Sequence, residues 1–148
     1  MAAAQAPAHP VLDFSFNYGA AASSSAFGPQ GTFQYCAVKA TPNDLEVAPS
    51  SSFGVTIAVN TACIGILQNQ PTLNGAAVVR MLGISKLVVD GSGTAITPGM
   101  WLRCDNQGRG VAIGAASSSS AAFALALQGS AAASDIISAF VLPLSFGF

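Results

Sequence analysis

Residues 54–71 read GVTIAVNTACIGILQNQP, and this stretch indicates the fold more clearly than any other part of the chain. It is apolar and rich in β-branched residues, which favour strands. Gly65 interrupts it, and the polar residues from Gln68 to Pro71 are typical of a turn. Apolar side chains on both faces indicate a strand that is buried on both sides. The stretch therefore predicts β-structure and offers no evident catalytic group.

From Thr32 onward, short apolar runs alternate with turn residues. Two β-branched runs at 76–82 and 84–90 are hinged at Gly83, where a glycine indicates a bulge or a bend. A last strong run covers 136–144. Short strands about ten residues apart, with turn residues between them, predict an all-β fold. We expect a compact β-sandwich or a barrel-like domain of short strands.

Three segments carry local predictions. Residues 121–127 alternate like a strand, but their alanines favour a helix, so one short helix is the alternative there. Pro143 has no N–H to donate, which predicts an edge or a strand end. The segment from Asp105 to Arg109 lies between two short apolar runs and is typical of a hairpin connection.

Residues 1–31 differ from the rest because small and polar residues surround a few large side chains. Near their middle, four large residues alternate with smaller or polar ones: Leu12, Phe14, Phe16 and Tyr18. This alternation predicts an extended strand with one apolar side. It is either an extended N-terminal arm that lies across another surface or the ordinary first strand of the domain. The first interpretation divides the chain into an arm, residues 1–31, and a β-rich domain, residues 32–148.

The composition indicates a surface that other subunits cover. Hydrophobic residues make up 51% of the chain and charged residues 7%, against about 25% charged in a usual globular protein. The net charge of −1 gives little repulsion between copies. Either the chain is a soluble monomer of low charge, or its apolar surface is covered by copies of itself or by a larger partner.

Several classes of ligand lack support in the sequence. The five basic residues are scattered, whereas phosphate binding needs clustered cations, so we expect no nucleic acid. No apolar run reaches the roughly 18 residues of a membrane helix, and no basic segment precedes an apolar one at the N-terminus. We therefore expect neither membrane insertion nor a secretory signal. The three cysteines are widely spaced and form no CxxC pair, so we expect small buried side chains and no zinc site.

Catalytic groups are equally scarce. The single histidine, His9, lies in a segment rich in Ala and Pro that is unsuited to holding a base in place. Asp44 and Glu46 are two residues apart but border a turn. The segment from Asp105 to Gly108 lacks the further oxygen ligands of a calcium loop. We therefore expect no enzyme activity, no cofactor and no metal.

Several motifs follow one another between Phe53 and Phe146. They are strand-like runs, turns and a Pro-Gly corner, in this order: Gly54–Asn60, Gly65–Pro71, Ala76–Leu82, Lys86–Val89, Ile96–Leu102, Gly108–Val111, Ala121–Leu127 and Ser134–Ile137. Each motif is common, whereas their order and spacing are more specific. Together they resemble the small capsid decoration (cement) proteins of tailed bacteriophages. The segment before Thr32 and the residue after the Pro-Gly corner, Met100, depart from that pattern.

The resemblance implies a structural virion protein that is made in the host cytoplasm and binds the outer surface of the capsid. It implies a homotrimer at three-fold or quasi-three-fold positions, where the subunits contact the major capsid protein, bridge capsomers and stabilise the DNA-filled head. Another virion component, such as a head fibre base or a minor capsid protein, is the alternative. A small ligand-binding β module is a third hypothesis.

Aromatic residues near both ends of the chain are the predicted contacts with neighbouring subunits. Buried aromatic side chains contribute strongly to association. We therefore expect interface roles for a set that also includes one proline: Phe14, Phe16, Tyr18, Pro143, Phe146 and Phe148. A binding module would instead need an aromatic-lined cleft, for which Trp101 is the single tryptophan available.

Overall fold

Strands account for every regular element that the structure describes. The computed structural model describes residues 11–18, 33–40, 46–49, 63–71, 75–105, 107–113 and 121–147. Nine strands lie in these ranges: β1 (Leu12–Tyr18), β2 (Ala37–Ala40), β3 (Glu46–Pro49), β4 (Gly65–Leu67), β5 (Ala76–Asp90), β6 (Trp101–Cys104), β7 (Gly110–Ala112), β8 (Ala121–Ala126) and β9 (Ala133–Gly147). The predicted all-β fold is confirmed, and the alanine-rich run is the strand β8 and not a helix. Within these ranges no helix is long and apolar enough to cross a membrane.

Strand β5 organises the fold because two separate sets of strands pair with it. Its first half, from Ala76 to Leu82, pairs with β1 and β4. Its second half, from Gly83 to Asp90, pairs with β9 and β7. The pairings close two rings of five strands each, which we call ring one (β1–β3–β2–β4–β5) and ring two (β5–β7–β6–β8–β9). Ring two is a closed five-stranded barrel, and β5 belongs to both rings.

Gly83 lies where β5 changes its pairing partners. The sequence predicts two short runs hinged at this glycine, whereas the structure has one strand of 15 residues. The backbone of Gly83 has a φ of 109°, which a residue with a Cβ adopts only under strain. The predicted bend is therefore a change of backbone conformation inside a continuous strand, placed at the junction of the two rings.

Each ring encloses apolar side chains. Along β5, Leu87 and Val89 alternate with outward-facing residues, and Ile137 on β9 lies opposite Leu87. The core of ring two also receives residues of β2 and β4: Ala37, Ile66, Leu87, Val89, Ile96, Leu102, Phe123, Ala124, Ala126, Ile137, Ala139 and Val141. The core of ring one is formed by Tyr18, Val38, Val47, Leu67, Ala77 and Val79.

Residues 12–18 form a strand of the domain, as the second interpretation of the N-terminal segment expected. β1 pairs antiparallel with β5 along most of its length and parallel with β3 at its end. Residues 1–10 and 19–32 lie outside the described residues. The boundary drawn at residue 31 and the contacts of an arm with another surface therefore stay predictions.

The stretch that indicates a β fold in the sequence is described from Cys63 onward. Here β4 pairs with β2 and β5, and its three residues are buried, in agreement with a strand covered on both faces. Residues 54–62, with the predicted strand that ends at Asn60, lie outside the described residues.

Pro143 interrupts a strand without ending it. β9 continues to Gly147. Opposite it the register shifts, because Ala124 pairs with Val141 whereas Ala122 pairs with Phe146. Five steps along β9 correspond to two along β8, so the bulge lies in β9 itself, around a proline that cannot donate to the ladder. The predicted strand end was wrong, whereas the predicted edge is compatible with the pairing of β9 with β5, which stops at Val141.

Candidate docking surface

A row of apolar side chains crosses the outside of ring two. In an antiparallel pair, directly opposite residues point to the same face of the sheet. Trp101 on β6 lies opposite Leu125 on β8, which lies opposite Phe140 on β9. Phe140 in turn lies opposite Ile84 on β5. These four half-buried residues, which we call the outer row, form one continuous line across four strands.

The outer row is unusual because the outward face of an antiparallel sheet is ordinarily polar. On the same side of the barrel, Leu127 and Ile136 are 40% and 39% exposed. Between them and the row lie Lys86 and Ser138, joined by a hydrogen bond of 3.1 Å from Nζ to Oγ. We call the outer row, Leu127 and Ile136 together the outer face. Half-buried and exposed apolar side chains grouped on the outside of a folded domain are typical of a contact with another protein.

Sequence reasoning missed the outer face, although a signal for it was present. The runs 84–90 and 136–144 carry apolar residues at successive positions, so they present apolar side chains to both faces of a strand. A barrel interior accommodates only one of those faces. The other face remains on the outside, and only the pairing register shows that its members align.

A second apolar surface lies at the start of β1. Val11, Leu12 and Phe14, which we call the N-terminal patch, are 49%, 44% and 45% exposed. The rings of Phe14 and Phe16 are 6.4 Å apart and tilted by 57°. Phe16 is half-buried against the core of ring one, and Tyr18 is 4% exposed within that core. Of the three aromatic residues that the sequence singles out here, Phe14 offers the most surface to a partner.

Arg80 connects β1 with the outer face. Its guanidinium donates two hydrogen bonds of 2.8 Å to the carboxylate of Asp13 and one of 2.7 Å to the carbonyl of Ile84. The hydrogen bonds from Arg80 hold the pKa of Asp13 below its ordinary value. Since Ile84 is the end of the outer row, one charged side chain links the strand that carries the N-terminal patch to the row.

The three candidate residues near the C-terminus are placed only in part. Pro143 and Phe146 lie in β9, and Phe146 pairs with Ala122. Phe148 lies outside the described residues. Their predicted contacts with neighbouring subunits stay predictions.

The hairpin between β6 and β7 is held by an ion-pair network. Asp105 accepts backbone hydrogen bonds of 2.8 Å from Gln107 and Arg109 and a third bond of 2.8 Å from the Arg109 Nε. Arg109 also forms an ion pair of 2.7 Å with Asp90. The predicted hairpin connection is confirmed. Its carboxylate oxygens bind backbone and guanidinium groups, and no group of three or more potential metal ligands occurs in the described ranges.

A cavity of about 370 Å³ lies beside this network and is lined by residues that include Asp90, Thr94, Arg103 and Asp105. The Nε of Arg103 is buried and has no hydrogen-bond partner. With Arg109, the neighbourhood holds two carboxylates and two guanidiniums. Their formal charges cancel, so the cavity offers no net charge to a ligand. The remaining acid–base candidates, His9 and Asp44, lie outside the described residues.

Comparison with solved structures shows a likeness in fold. The chain is similar to the N base of head fiber gp8.5 in bacteriophage phi29, with a TM-score of 0.56 and 14% sequence identity over 94% of this chain and 100% of that chain. No protein-family model matches the chain, and no curated protein sequence matches it. At a sequence identity of 14%, the likeness is evidence for a similar fold alone.

Proposed function

We propose that this chain is a structural protein of a bacteriophage virion that docks on the outer surface of the head. The likeness in fold to a head fibre base supports this proposal, since it extends over 94% of the chain. The outer face is the observation that carries it, because a folded apolar surface of low charge serves association with other proteins. The proposed role requires no catalysis, cofactor or metal.

The outer face suits the centre of an interface. The centres of protein interfaces are depleted of charge and enriched in aromatic residues, and Trp101 and Phe140 lie in the outer row. A stable interface covers about 800 Å² on each partner, which exceeds what six side chains supply. We therefore assign the N-terminal patch to a second contact of the same docked subunit, with Arg80 between the two surfaces.

Within this class of protein, the base of a head fibre is the first candidate, because the similar solved structure is such a base. A cement protein that bridges capsomers is the second candidate, favoured by the order of motifs from Gly65–Pro71 to Ser134–Ile137. Both roles take the major capsid protein as partner. Both are compatible with a homotrimer at three-fold or quasi-three-fold positions of the head.

The docking proposal is tested by binding the purified chain to phage heads that lack it. Leu127→Ser with Ile136→Ser removes two exposed apolar side chains from the outer face without opening the core. We expect this double variant to bind at least about tenfold more weakly. The control is Ala95→Ser, because Ala95 is exposed and lies in the segment between β5 and β6. Equal binding by the double variant and the control would contradict the proposal.

The two candidate roles differ in copy number. A cement protein occupies equivalent positions over the whole head, so its amount follows that of the major capsid protein, whereas a fibre base is limited to the positions that carry fibres. Band intensities from purified particles measure this ratio, and sedimentation of the isolated chain tests the trimer. A monomer without affinity for heads would overturn the virion assignment and favour a small binding module.

A further inference from the structure

Arg103 carries a buried hydrogen-bond donor that has no partner. The side chain is half-buried on β6, and its Nε is covered by protein atoms and donates to none of the described residues. The guanidiniums of Arg80 and Arg109 both form ion pairs, whereas no ion pair within the described part of the chain includes Arg103. Folded proteins leave few buried donors without an acceptor, because each one costs free energy. The missing acceptor at this position therefore needs an explanation.

An acceptor has room to enter, because Arg103 lines the cavity of about 370 Å³ beside the β6–β7 hairpin. This volume lies within the range of about 300–1,000 Å³ that small-ligand sites occupy. Val111, which pairs with Arg103 across the hairpin, and two hydroxyl-bearing residues, Ser92 and Thr94, line the cavity as well. The cavity therefore offers both apolar surface and hydrogen-bonding groups to an occupant.

The carboxylates beside Arg103 are already engaged by other groups. Asp90 accepts hydrogen bonds from the backbone N–H and the hydroxyl of Ser92, and it pairs with Arg109. Asp105 accepts two hydrogen bonds from Arg109. Since the two guanidiniums balance the two carboxylates, a third carboxylate in the cavity would add an unbalanced negative charge. An uncharged acceptor such as an amide oxygen satisfies the donor of Arg103 without that cost.

The cavity adjoins the outer face. Alternate residues of a strand point to the same side, so Arg103 points outward together with Trp101 of the outer row, whereas Leu102 between them is buried. Residues two apart along a strand are separated by about 7 Å. A partner segment that covers Trp101 is therefore within reach of the cavity.

We propose that the cavity beside Arg103 is a binding site for an uncharged amide oxygen of the docking partner, either a peptide carbonyl or the side chain of an asparagine or glutamine. The amide oxygen accepts a hydrogen bond from the Nε of Arg103. A partner without an acceptor at this point leaves the buried donor unpaired, and this penalty discriminates against it. The chemistry of the cavity is a property of the isolated chain, whereas the source of the amide rests on the proposed function.

NMR titration of the full purified chain with acetamide and with acetate tests the chemistry of the cavity, because the two probes have the same shape and differ in charge. The Nε–H signals of the arginines are followed, and those of Arg80 and Arg109 are internal controls because both groups donate to carboxylates. We expect acetamide to shift the Arg103 signal alone, with saturation at concentrations on the order of 100 mM. No saturable shift, or an equal or stronger response to acetate, would overturn the proposal.

Binding to phage heads that lack the chain tests the source of the amide. Arg103→Lys retains the charge but removes the Nε donor, so we expect at least about fivefold weaker binding, at low and at high salt alike, because an uncharged contact is not screened. The control is Lys39→Arg, a conservative exchange on β2 of ring one, which should bind like the wild type.

Unchanged binding by Arg103→Lys would overturn the assignment of the amide to the partner, and a loss that disappears at high salt would indicate a carboxylate instead. Failure of the wild-type chain to bind heads would overturn the proposed function and, with it, the source of the amide. The acetamide titration decides the chemistry of the cavity independently, even where a variant fails to fold.

Discussion

Ring one and ring two share β5, but they are closed by contacts of different extent. Ring two is closed by the antiparallel pairing of β9 with β5, which runs from Gly83 to Asp90, and its core includes Phe123. Ring one is closed by the shorter antiparallel pairing of β1 with β5, from Leu12 to Asn17, and among the described residues its core has six buried residues against twelve in ring two. Each ring also contains one short parallel contact, β1 with β3 in ring one and β5 with β7 in ring two, so the size of the core is what distinguishes them. We infer that ring two is the stable body of the protein and that ring one opens more easily.

This difference matters for docking, because the outer face belongs to the stable ring and the N-terminal patch to the weaker one. Each ring also carries its own spectroscopic probe. Trp101 is the single tryptophan and lies on β6 of ring two. Tyr18, one of two tyrosines, is buried in ring one. The two probes allow the rings to be followed separately.

Truncation of the largest buried side chain in ring two should lower the free energy of unfolding more than any other change considered. Phe123 is 2% exposed, and replacing a buried phenylalanine by alanine costs about 3–5 kcal/mol of unfolding free energy. Phe123→Ala should therefore lower the urea midpoint strongly, and both probes should report the loss together, since ring one depends on β5. Leu127→Ala, at a site 40% exposed, is the control and should change stability by less than about 0.5 kcal/mol. If ring one stayed folded after ring two unfolded, the ranking of the two rings would be reversed.

Alkaline pH should open ring one before ring two. Burial raises the pKa of Tyr18 from 10.0 to about 12, so the folded state retains this proton to higher pH than the unfolded state does. The stability that this difference contributes is complete below pH 10 and is lost as pH rises through about 12. A difference of this size corresponds to about 2–3 kcal/mol.

The alkaline experiment is cleanest in a Tyr35→Phe background, where Tyr18 is the remaining tyrosine. Tyrosinate absorbance should then rise at lower pH than the pH at which Trp101 fluorescence changes. Burial also raises the pKa of Cys36 to about 12, so this thiol ionises over the same pH range as Tyr18. The Cys36→Ala variant is therefore the control for the contribution of Cys36 to the alkaline transition. Coincident changes of absorbance and fluorescence would mean that the two rings open as one unit.

The sequence predicted strands in both rings but not how those strands pair with one another. Alternation at Phe14 and Phe16 correctly indicates a strand, and the glycine at 83 correctly marks a special backbone position. Period-2 patterns reveal which residues share a face of one strand, and they carry no information on which strands are neighbours. The outer row depends on the register between Trp101, Leu125 and Phe140, residues separated by long stretches of sequence.

A side chain added at Gly83, where the two rings meet, should lower the free energy of unfolding by less than ionisation of Tyr18 does. Gly83 has a φ of 109°, so Gly83→Ala should cost on the order of 1–2 kcal/mol through backbone strain. Gly93→Ala is the matched control, because a Cβ there meets nothing within 4 Å. Thermal unfolding should show a lower midpoint for the first variant and little change for the second. Equal midpoints would mean that the junction adapts without strain and that the rings are less distinct than their pairing indicates.

Of the groups considered, the ion pair of Asp13 with Arg80 should contribute least to the free energy of unfolding. The two side chains are 30% and 21% exposed, and pairs of this kind contribute about 0.2–1 kcal/mol. Because Arg80 lowers the pKa of Asp13, the contribution is present above the ordinary range of an aspartate and is lost as pH falls through the lowered value. Asp13→Asn should therefore lower the urea midpoint slightly at neutral pH and not in acid, and added salt should reduce the difference.

The matched control for that pair is Asp135→Asn, since Asp135 is an exposed carboxylate of ring two that accepts a hydrogen bond of 2.6 Å from Ser130. With head binding as the second readout, Asp13→Asn separates two roles of Arg80. Weaker binding at unchanged Trp101 fluorescence would mean that the ion pair fixes the N-terminal patch relative to the outer face. Unchanged binding would mean that the outer face docks without help from ring one, and the contact assigned to the patch would then be wrong.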